Sequence, residues 1–257
     1  MQRWAGRVAL VTGSSAGIGC GIARALVKHG LKVVGCAEND KEVQRIEAVS
    51  RELKGEEGSL VGLKCDMGKE EDILKMFETI KSDPNLRGVD VCINNAGLAH
   101  EEPFLTGQTE AWRQMIDINI LGYCICTREA FKSMKERGID DGHIFLINSV
   151  AGHRVPIFTN IHFYSMTKFA VTAMSEAIRF ELREMKSGIR ISSISPGVVE
   201  TEFAYKMIHD PVRAKATFTQ YPCLQPDDLA DAVIYALQAP PHVQVHDIML
   251  RPTMQFN

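Results

Sequence analysis

Short apolar runs alternate with longer amphipathic stretches along the whole chain. Seven runs have the composition of strands buried on both faces, at 7–12, 31–36, 60–65, 89–94, 143–148, 189–194 and 245–250. Helical patterns lie between them at 18–29, 41–53, 70–80, 163–185 and 226–237, and at 109–136 as one long helix or a broken pair. Apolar strands separated by helices form parallel sheets. The pattern therefore predicts an α/β chain with one doubly wound domain over 1–257, a seven-stranded, mainly parallel sheet and helices on both faces.

Composition limits the partners of such a domain. A net charge of −3, with no long basic run, argues against a nucleic-acid or anionic-membrane partner. No apolar stretch approaches the roughly 18 residues of a membrane span. Seven cysteines, an odd number without a C-x-x-C pair, indicate reduced thiols rather than disulfides. We expect a cytoplasmic protein with no membrane span and no metal.

One connection is unusually long for a compact domain. Residues 198–224 separate the sixth strand from the next helix, and a stretch of this length is usually a lid or a binding loop. Phe203 and Met207 would then contact an apolar substrate. The alternative is ordinary packing of a short helix.

A glycine-rich turn, TGSSAGIG, joins the first strand to the first helix. Glycines let the backbone approach a pyrophosphate closely, and the helix N-terminus offers free N–H groups. This placement favours a dinucleotide-binding Rossmann domain, although loops also need glycine for other reasons. The residues predicted to contact the dinucleotide here are Gly13, Ser15, Gly17, Ile18 and Gly19.

Three later strand ends fit the same ligand. Asp66, followed by Met67, could accept a hydrogen bond from the adenine amino group, or could cap the following turn. The segment NNAG, with Asn95, Ala96 and Gly97, could let the adenosine ribose pass close to the backbone, or could be a simple turn. After the sixth strand, the dinucleotide contacts would come from Pro196, Gly197, Val199 and Thr201, where Thr201 could bond the carboxamide.

Tyr164 and Lys168 stand four residues apart in a predicted helix, so both project from one face. A tyrosine is a poor base at neutral pH, and a neighbouring ammonium, with the oxidised nicotinamide ring, would favour its phenolate. Tyr164 could then accept an alcohol proton or return it to a forming alkoxide. A Y-x-x-x-K pair is a weak signal by itself, because five tyrosines can produce one by accident.

Two further polar residues complete a candidate catalytic set. Ser149 ends the fifth strand and could hold the substrate oxygen, although a lone serine there is more often a cap. Asn119 lies in a helical stretch, where asparagine is a poor helix former. It could hold a water that links Lys168 to solvent, or occupy a polar surface position.

These elements occur in the order and spacing of the short-chain dehydrogenase/reductase family, which the chain resembles over its whole length. Five segments further resemble a subgroup that includes the insect farnesol dehydrogenases, at 124–144, 152–155, 162–165, 195–203 and 247–253. The resemblance implies hydride transfer between a nicotinamide dinucleotide and an apolar secondary alcohol or ketone, such as a hydroxysteroid, an isoprenoid alcohol or a dicarbonyl. It also implies a homodimer or homotetramer.

The second strand departs from the family's pattern, since it ends in GCAEN. NAD-using relatives place an acidic residue at the position of Ala37, and NADP-using relatives usually place an arginine where Glu38 stands. The Glu38 carboxylate would repel a 2′-phosphate and favours NAD, whereas the subgroup favours NADP, so either is expected as the cofactor. The alternatives to an enzyme are a non-catalytic NAD(P)-binding sensor or scaffold, and a structural protein with accidental motifs.

Overall fold

The computed structural model describes residues 1–256 and contains one seven-stranded sheet. Its strands are all parallel, in the order β3-β2-β1-β4-β5-β6-β7. They run over β1 Val8–Thr12, β2 Lys32–Ala37, β3 Ser59–Lys64, β4 Val91–Asn94, β5 His143–Ile147, β6 Arg190–Pro196 and β7 Asp247–Leu250. The predicted fold class is confirmed, and each strand begins and ends within two residues of its expected bounds.

Helices cover both faces of the sheet. They are α1 Gly17–Lys28, α2 Asp40–Glu52, α3 Glu70–Ser82, α4 Thr109–Ile116, α5 Tyr123–Glu136, α6 His162–Glu184, α7 Glu202–Ile208, α8 Pro211–Thr217 and α9 Pro226–Gln238. Successive strand residues point to opposite faces. In β1, Ala9 and Val11 pack with α1, α2 and α9, whereas Val8 and Leu10 pack with α3, α5 and α6. These two apolar layers are the core.

The stretch 109–136 is helical throughout, with one irregularity. A π-helical turn, Asp117–Gly122, joins α4 to α5 without a break in the chain direction. Turns of this kind occur frequently at functional sites. The turn contains Asn119, which sequence patterns placed inside a helix.

The strand order reverses between β1 and β4, which are neighbours in the sheet. Connections from β1 lead toward β2 and β3, and those from β4 lead the other way. Such a reversal opens a crevice at the carboxyl ends of the strands. All the strand-end motifs found in the sequence therefore face one crevice.

The long connection 198–224 is not an irregular loop, because it carries α7 and α8. Its two ends are joined by hydrogen bonds, from the Glu200 amide to the Leu224 carbonyl at 2.9 Å and from the Leu224 amide to the Val198 carbonyl at 3.1 Å. The segment thus has a fixed base and a helical body that extends beyond the sheet. We call residues 198–224 the helical cap.

None of the helices in residues 1–256 has the length and apolarity that a bilayer crossing requires. Within the same residues, no group of three or more histidine, cysteine or acidic side chains could hold a metal ion.

Candidate active site

A cleft of about 1030 Å³ lies at the carboxyl ends of the strands, beneath the helical cap. It brings together the glycine turn, the strand-end motifs and the predicted catalytic residues. Every residue predicted for the site lines this cleft except two, Gly19 and Asn119. Both of these lie directly behind its wall.

The glycine turn has the backbone geometry of a phosphate cradle. Gly13 and Gly17 adopt positive φ angles of 65° and 56°, which other residues rarely adopt. A side chain at Gly13 would also come within 2.8 Å of the Ala96 backbone, and one at Gly19 within 2.4 Å of the Gly13 carbonyl. Glycine is therefore required at these positions for close packing of the turn.

Asn95 holds this turn in place. Its side-chain amide donates to the carbonyls of Thr12 and Gly13, at 2.8 and 3.0 Å. The backbone amides of Asn95 and Ala96 both donate to the Thr12 hydroxyl, at 2.9 and 3.0 Å. NNAG is thus more than a turn, because it ties the end of β4 to the glycine loop.

The cradle fits the pyrophosphate of a dinucleotide. Helix α1 begins at Gly17, and no side chain caps its N-terminus. Its first backbone N–H groups therefore remain available to an anion, and the helix dipole favours negative charge there. Ser15, Ile18 and Thr201 border the same space.

The end of β2 forms the adenosine side of the cleft. Ala37 is buried, whereas Glu38 is exposed on the cleft wall and accepts a hydrogen bond from the side chain of its neighbour Asn39 at 3.3 Å. Asn39 in turn caps α2 by accepting from the Glu42 amide. The Glu38 carboxylate is free to face a ribose.

Asp66 performs the capping role that we considered as its alternative. One of its oxygens accepts from the Gly68 amide at 2.9 Å, and the other pairs with Lys69 at 3.1 Å. The carboxylate still lines the cleft, so it retains acceptor capacity for an adenine amino group. The neighbouring Met67 packs its sulfur against Cys36 and Cys65.

Tyr164 and Ser149 bring their hydroxyls together on the cleft wall. Burial raises the pKa of Tyr164 above its ordinary value, and a hydrogen bond with Ser149 acts in the opposite direction. Burial is the larger of the two effects, so without a dinucleotide the pKa of Tyr164 is raised. Tyr164 is therefore a neutral phenol at pH 7 and carries a proton that it can donate.

Lys168 is buried in the same wall. Its Nζ donates to the Ile147 carbonyl at 2.8 Å and lies 5.7 Å from the Tyr164 ring centre. Burial lowers the pKa of Lys168 to about 7. The ammonium is thus only partly formed at neutral pH, which explains why it does not favour the phenolate here.

Asn119 is fully buried, so the surface alternative is wrong. Its side chain accepts from the Leu98 amide at 3.0 Å and donates to the Leu98 carbonyl at 2.8 Å. It also donates to Thr167 on α6 at 3.1 Å. Asn119 therefore fixes the chain after β4 to the helix that carries Tyr164 and Lys168.

The helical cap supplies the apolar side of the cleft. The Phe203 ring lies 5.8 Å from the Tyr164 ring, and Met207 lines the cleft one turn further along α7. Sequence patterns missed other residues that line the cleft, among them Leu98, Ile157, Phe158, Tyr221, Arg251 and Gln255. They lie in loops without periodicity, where no pattern distinguishes a cleft residue from a surface one.

The segment after β6 completes the wall. Pro196 ends the strand, and the Gly197 amide donates to the Leu250 carbonyl of β7 at 2.7 Å. A side chain at Gly197 would collide with Gln255, so the C-terminal residues pack against this turn. Val199 and Thr201 then lead into the helical cap, and Thr201 caps α7.

Comparison with known proteins gives consistent matches. Residues 7–211 match the family described as short chain dehydrogenase. The chain is 57% identical to dehydrogenase/reductase SDR family member 11 of Gallus gallus, covering 100% of both chains. It is 42% identical to a farnesol dehydrogenase of Aedes aegypti, covering 98% of both. A solved structure, the closed form of serine dehydrogenase complexed with NADP+, is 31% identical, with a TM-score of 0.86 over 96% of each chain. The subgroup resemblance is thereby confirmed.

Proposed function

Since the chain belongs to the short-chain dehydrogenase family, we propose that it transfers a hydride between a nicotinamide dinucleotide and the carbonyl or alcohol carbon of an apolar substrate. The observation that carries this proposal is the meeting of the glycine cradle and the Tyr164–Ser149 pair in one cleft. The dinucleotide, when bound, supplies or accepts the hydride. The protein's own groups manage the proton and the substrate oxygen.

Tyr164 is the proposed proton donor and acceptor. As a buried neutral phenol, it holds its proton at neutral pH and can pass it to a substrate oxygen as that oxygen becomes an alkoxide. Ser149 would hold the same oxygen by a hydrogen bond. In the alcohol-to-ketone direction, Tyr164 would have to lose its proton first, a step that burial opposes.

Lys168 and Asn119 have supporting roles in this proposal. Lys168, with its pKa lowered to about 7, can change its charge near neutral pH and so relay a proton through the wall. Asn119 keeps the chain after β4 against α6, and we propose that it also holds a water between Lys168 and solvent.

An apolar substrate is supported by the cleft wall and by the relatives. Phe203, Met207 and Phe158 line the cleft, and the Phe203 ring lies 5.8 Å from the Tyr164 ring. The Aedes aegypti relative is named for farnesol, an apolar alcohol. We therefore propose hydroxysteroids, isoprenoid alcohols or dicarbonyls as the substrate class, and Phe203 and Met207 as substrate contacts.

For the cofactor, we propose NAD on the basis of Glu38, with NADP as the alternative. An exposed carboxylate at the end of β2 would bond ribose hydroxyls and repel a 2′-phosphate. The solved relative in complex with NADP+ supports the alternative. The proposed dinucleotide contacts remain those of the glycine turn together with Ala37, Glu38, Asp66, Met67, Asn95, Ala96, Gly97, Tyr164, Lys168, Pro196, Gly197, Val199 and Thr201.

We further propose a cytoplasmic homodimer or homotetramer. Four of the seven cysteines, Cys36, Cys65, Cys92 and Cys126, are buried thiols, which are typical of a reducing compartment. The oligomer is the state that the family resemblance implies. Sedimentation of the purified protein would test it.

The experiment is a turnover assay with NADH and NADPH against a panel of ketosteroids, farnesal, retinal and hexane-2,3-dione, followed by nicotinamide absorbance. We expect turnover of at least one apolar carbonyl compound. Binding of dinucleotide without turnover of any panel member, in either direction, would favour a sensor or scaffold instead.

A further inference from the structure

His153 lies at the end of the short turn that begins with Ser149. The Ser149 hydroxyl accepts from the Ala151 amide at 3.1 Å, and the Ser149 carbonyl accepts from the Gly152 amide at 2.9 Å. The His153 amide then donates to the Val150 carbonyl at 3.1 Å. Residues 149–153 are thus one continuously hydrogen-bonded unit, which we call the serine turn.

Helix α6 fixes one side of the serine turn. The Ser165 hydroxyl donates to the Ala151 carbonyl at 2.6 Å, and the Thr172 hydroxyl donates to the Gly152 carbonyl at 2.8 Å. Ser165 directly follows Tyr164. These bonds fix the position of the serine turn along α6, the helix that carries Tyr164.

The His153 side chain fixes the other side of the turn to the sheet. Its Nε2 lies 2.8 Å from the hydroxyl of Ser195 on β6 and 3.1 Å from a carboxylate oxygen of Asp247 on β7. The Ser195 hydroxyl lies 2.7 Å from the other oxygen of Asp247. Because a carboxylate only accepts, the Ser195 hydroxyl donates its hydrogen to Asp247. The His153 Nε2–H then donates to the Ser195 oxygen and to the Asp247 carboxylate.

This chain of side chains lies outside the substrate cleft. His153 and Asp247 line a separate small cleft of about 250 Å³ between α6 and the β6–β7 edge of the sheet. Neither residue lines the cleft that holds Tyr164. His153 therefore cannot reach a substrate there, and any effect on turnover must pass through the serine turn.

We propose that His153, held by Ser195 and Asp247, is a positioning residue that sets the Ser149 hydroxyl against Tyr164. This inference rests on the proposed function, because it assumes that Ser149 and Tyr164 act on the substrate oxygen. The hydrogen bonds from α6 fix the position of the serine turn along the helix axis. The His153 bonds fix the orientation of the turn about that axis. Without the imidazole, the turn keeps only its internal bonds and its bonds to α6, and we expect these to hold the Ser149 hydroxyl less firmly against Tyr164.

The test compares His153→Ala and His153→Gln, in the wild type and in a Ser149→Ala background. The probe is whichever of farnesol and hexane-2,3-dione the wild type turns over faster. We expect His153→Ala to lower kcat between about 10- and 100-fold, because small misplacements of reacting groups have effects of that size. KM for the dinucleotide and its binding affinity should stay unchanged. His153→Gln, whose amide can still donate to Ser195, should restore most of the rate.

In the Ser149→Ala background, His153→Ala should change kcat by less than about twofold, because residues that act through one another are not additive. Asp247→Ala, at an exposed position that should not endanger folding, should lower kcat in the same way as His153→Ala but less. Additive losses, a parallel fall in dinucleotide affinity, or full rates in both His153→Ala and Asp247→Ala would overturn the inference.

Tyr164→Phe and Ser149→Ala separate this failure from failure of the proposed function. If those two variants lose turnover while His153→Ala retains it, only the positioning role is wrong. If those two variants keep full turnover, the proposed function itself is wrong.

Discussion

Burial affects Tyr164 and Lys168 in opposite senses, because it disfavours the charged form of each. The phenol keeps its proton and the amine loses its proton more readily. The predicted roles differ accordingly. Tyr164 has a proton to donate. Removing its hydroxyl should therefore affect turnover more than the small change in side-chain shape does.

Tyr164→Phe should therefore keep the fold and the dinucleotide affinity but lose at least about 100-fold in kcat, the range typical of a lost general acid. Stopped-flow turnover and dinucleotide fluorescence titration would measure the two effects. Tyr235→Phe makes the same chemical change at an exposed position on α9 and should leave kcat unchanged. A single-turnover rate of Tyr164→Phe within tenfold of the parent would contradict the assignment.

Lys168 gives a pH dependence of stability. Its folded pKa of about 7 is below the ordinary lysine value of about 10.4, so between these pH values the unfolded state binds the extra proton. Stability then rises with pH in this window, by up to about 1.4 kcal/mol per pH unit from this residue. Below pH 7 Lys168 is charged in both the folded and the unfolded state, so the full cost of burying its charge lowers the stability.

Lys168→Met should accordingly be stabilised relative to the parent at pH 6.5, and the difference should shrink as the pH rises toward 10. Urea unfolding of both proteins at several pH values would measure this. The variant should also lose turnover and bind dinucleotide more weakly, since the ammonium can bond the nicotinamide ribose. A difference in stability that is independent of pH would show that Lys168 keeps an ordinary pKa.

Glu38 tests the choice of cofactor. Glu38→Arg would remove a like charge beside the 2′-phosphate and add a bidentate donor, so preference should move toward NADPH by about 10- to 1000-fold, with each tenfold equal to about 1.4 kcal/mol. The ratio of kcat/KM for NADH and NADPH, at one ionic strength, is the measurement. Glu47→Arg makes the same charge change on the exposed side of α2. An equal shift from Glu47→Arg would mean that only net charge matters.

Sequence patterns found the residues whose types carry chemistry, but not the groups that orient them. Ser149, Tyr164 and Lys168 stood out because their spacing brings them to one crevice. The hydrogen-bond acceptor for Lys168 is the backbone carbonyl of Ile147. Every residue has such a carbonyl, so the residue type at position 147 does not identify it as the acceptor. His153 and Thr167 were missed because their partners are distant in sequence and only the fold brings them close.

The helical cap is attached to the rest of the domain by two bidentate ion pairs. Arg213 of α8 pairs with Glu101 after β4, at 2.8 and 3.1 Å. Arg45 of α2 pairs with Glu202 of α7, at 2.6 and 3.0 Å. Pairs this exposed contribute only about 0–1 kcal/mol each. We therefore predict that these ion pairs do not prevent the cap from opening while its hydrogen-bonded base stays fixed.

Amide hydrogen exchange in 202–217 should consequently be fast in the free protein and slow when dinucleotide and substrate are both bound. Arg213→Gln should speed exchange in the free protein and raise KM for the substrate a fewfold, while leaving dinucleotide affinity unchanged. Lys215→Gln, on the same helix and without an ion pair to any residue of 1–256, is the control. Identical protection of the cap in the free and ternary states would contradict a lid.

Periodicity predicted the strands well because parallel strands buried on both faces have a simple composition. It predicted less well the elements whose structure depends on distant contacts. The π-helical turn forms where Asn119 bonds Leu98 and Thr167, and Tyr205 of α7 packs against Phe218, which directly follows α8. Neither set of contacts is local in sequence.

At the end of the sheet opposite the cleft, polar contacts fasten the end of α9. Helix α9 ends near the N-terminal edge of the strands and has no basic residue in its own last turn. Its final carbonyls are satisfied from elsewhere. Arg190 of β6 donates to the Ala236 carbonyl at 3.3 Å, and Arg3 donates to the Leu237 carbonyl at 2.7 Å. Both cations also interact favourably with the negative, C-terminal end of the helix dipole.

Trp4 joins the first residues of the chain to the same helix end. Its ring is 1% exposed, and its Nε1 donates to the Leu237 carbonyl at 2.8 Å. The guanidinium groups of Arg3 and Arg7 lie 5.2 and 5.1 Å from the ring centre. Trp4 is therefore part of the core beside α9, although its neighbours in the chain are exposed.

Trp4→Ala should lower the free energy of unfolding by about 3–5 kcal/mol, the usual loss for a buried aromatic side chain. For a domain of this size each kcal/mol lowers Tm by roughly 2–4 °C. Trp4→Phe keeps most of the ring packing and loses the hydrogen bond to Leu237, so its loss should be smaller. Because Trp4 does not line the cleft, kcat at 20 °C should be unchanged in both variants. Calorimetry and turnover assays on the same samples would check the two expectations. A Tm of Trp4→Ala within 2 °C of the parent corresponds to a loss of no more than roughly 1 kcal/mol. That result would mean that the N-terminal segment does not contribute to the core.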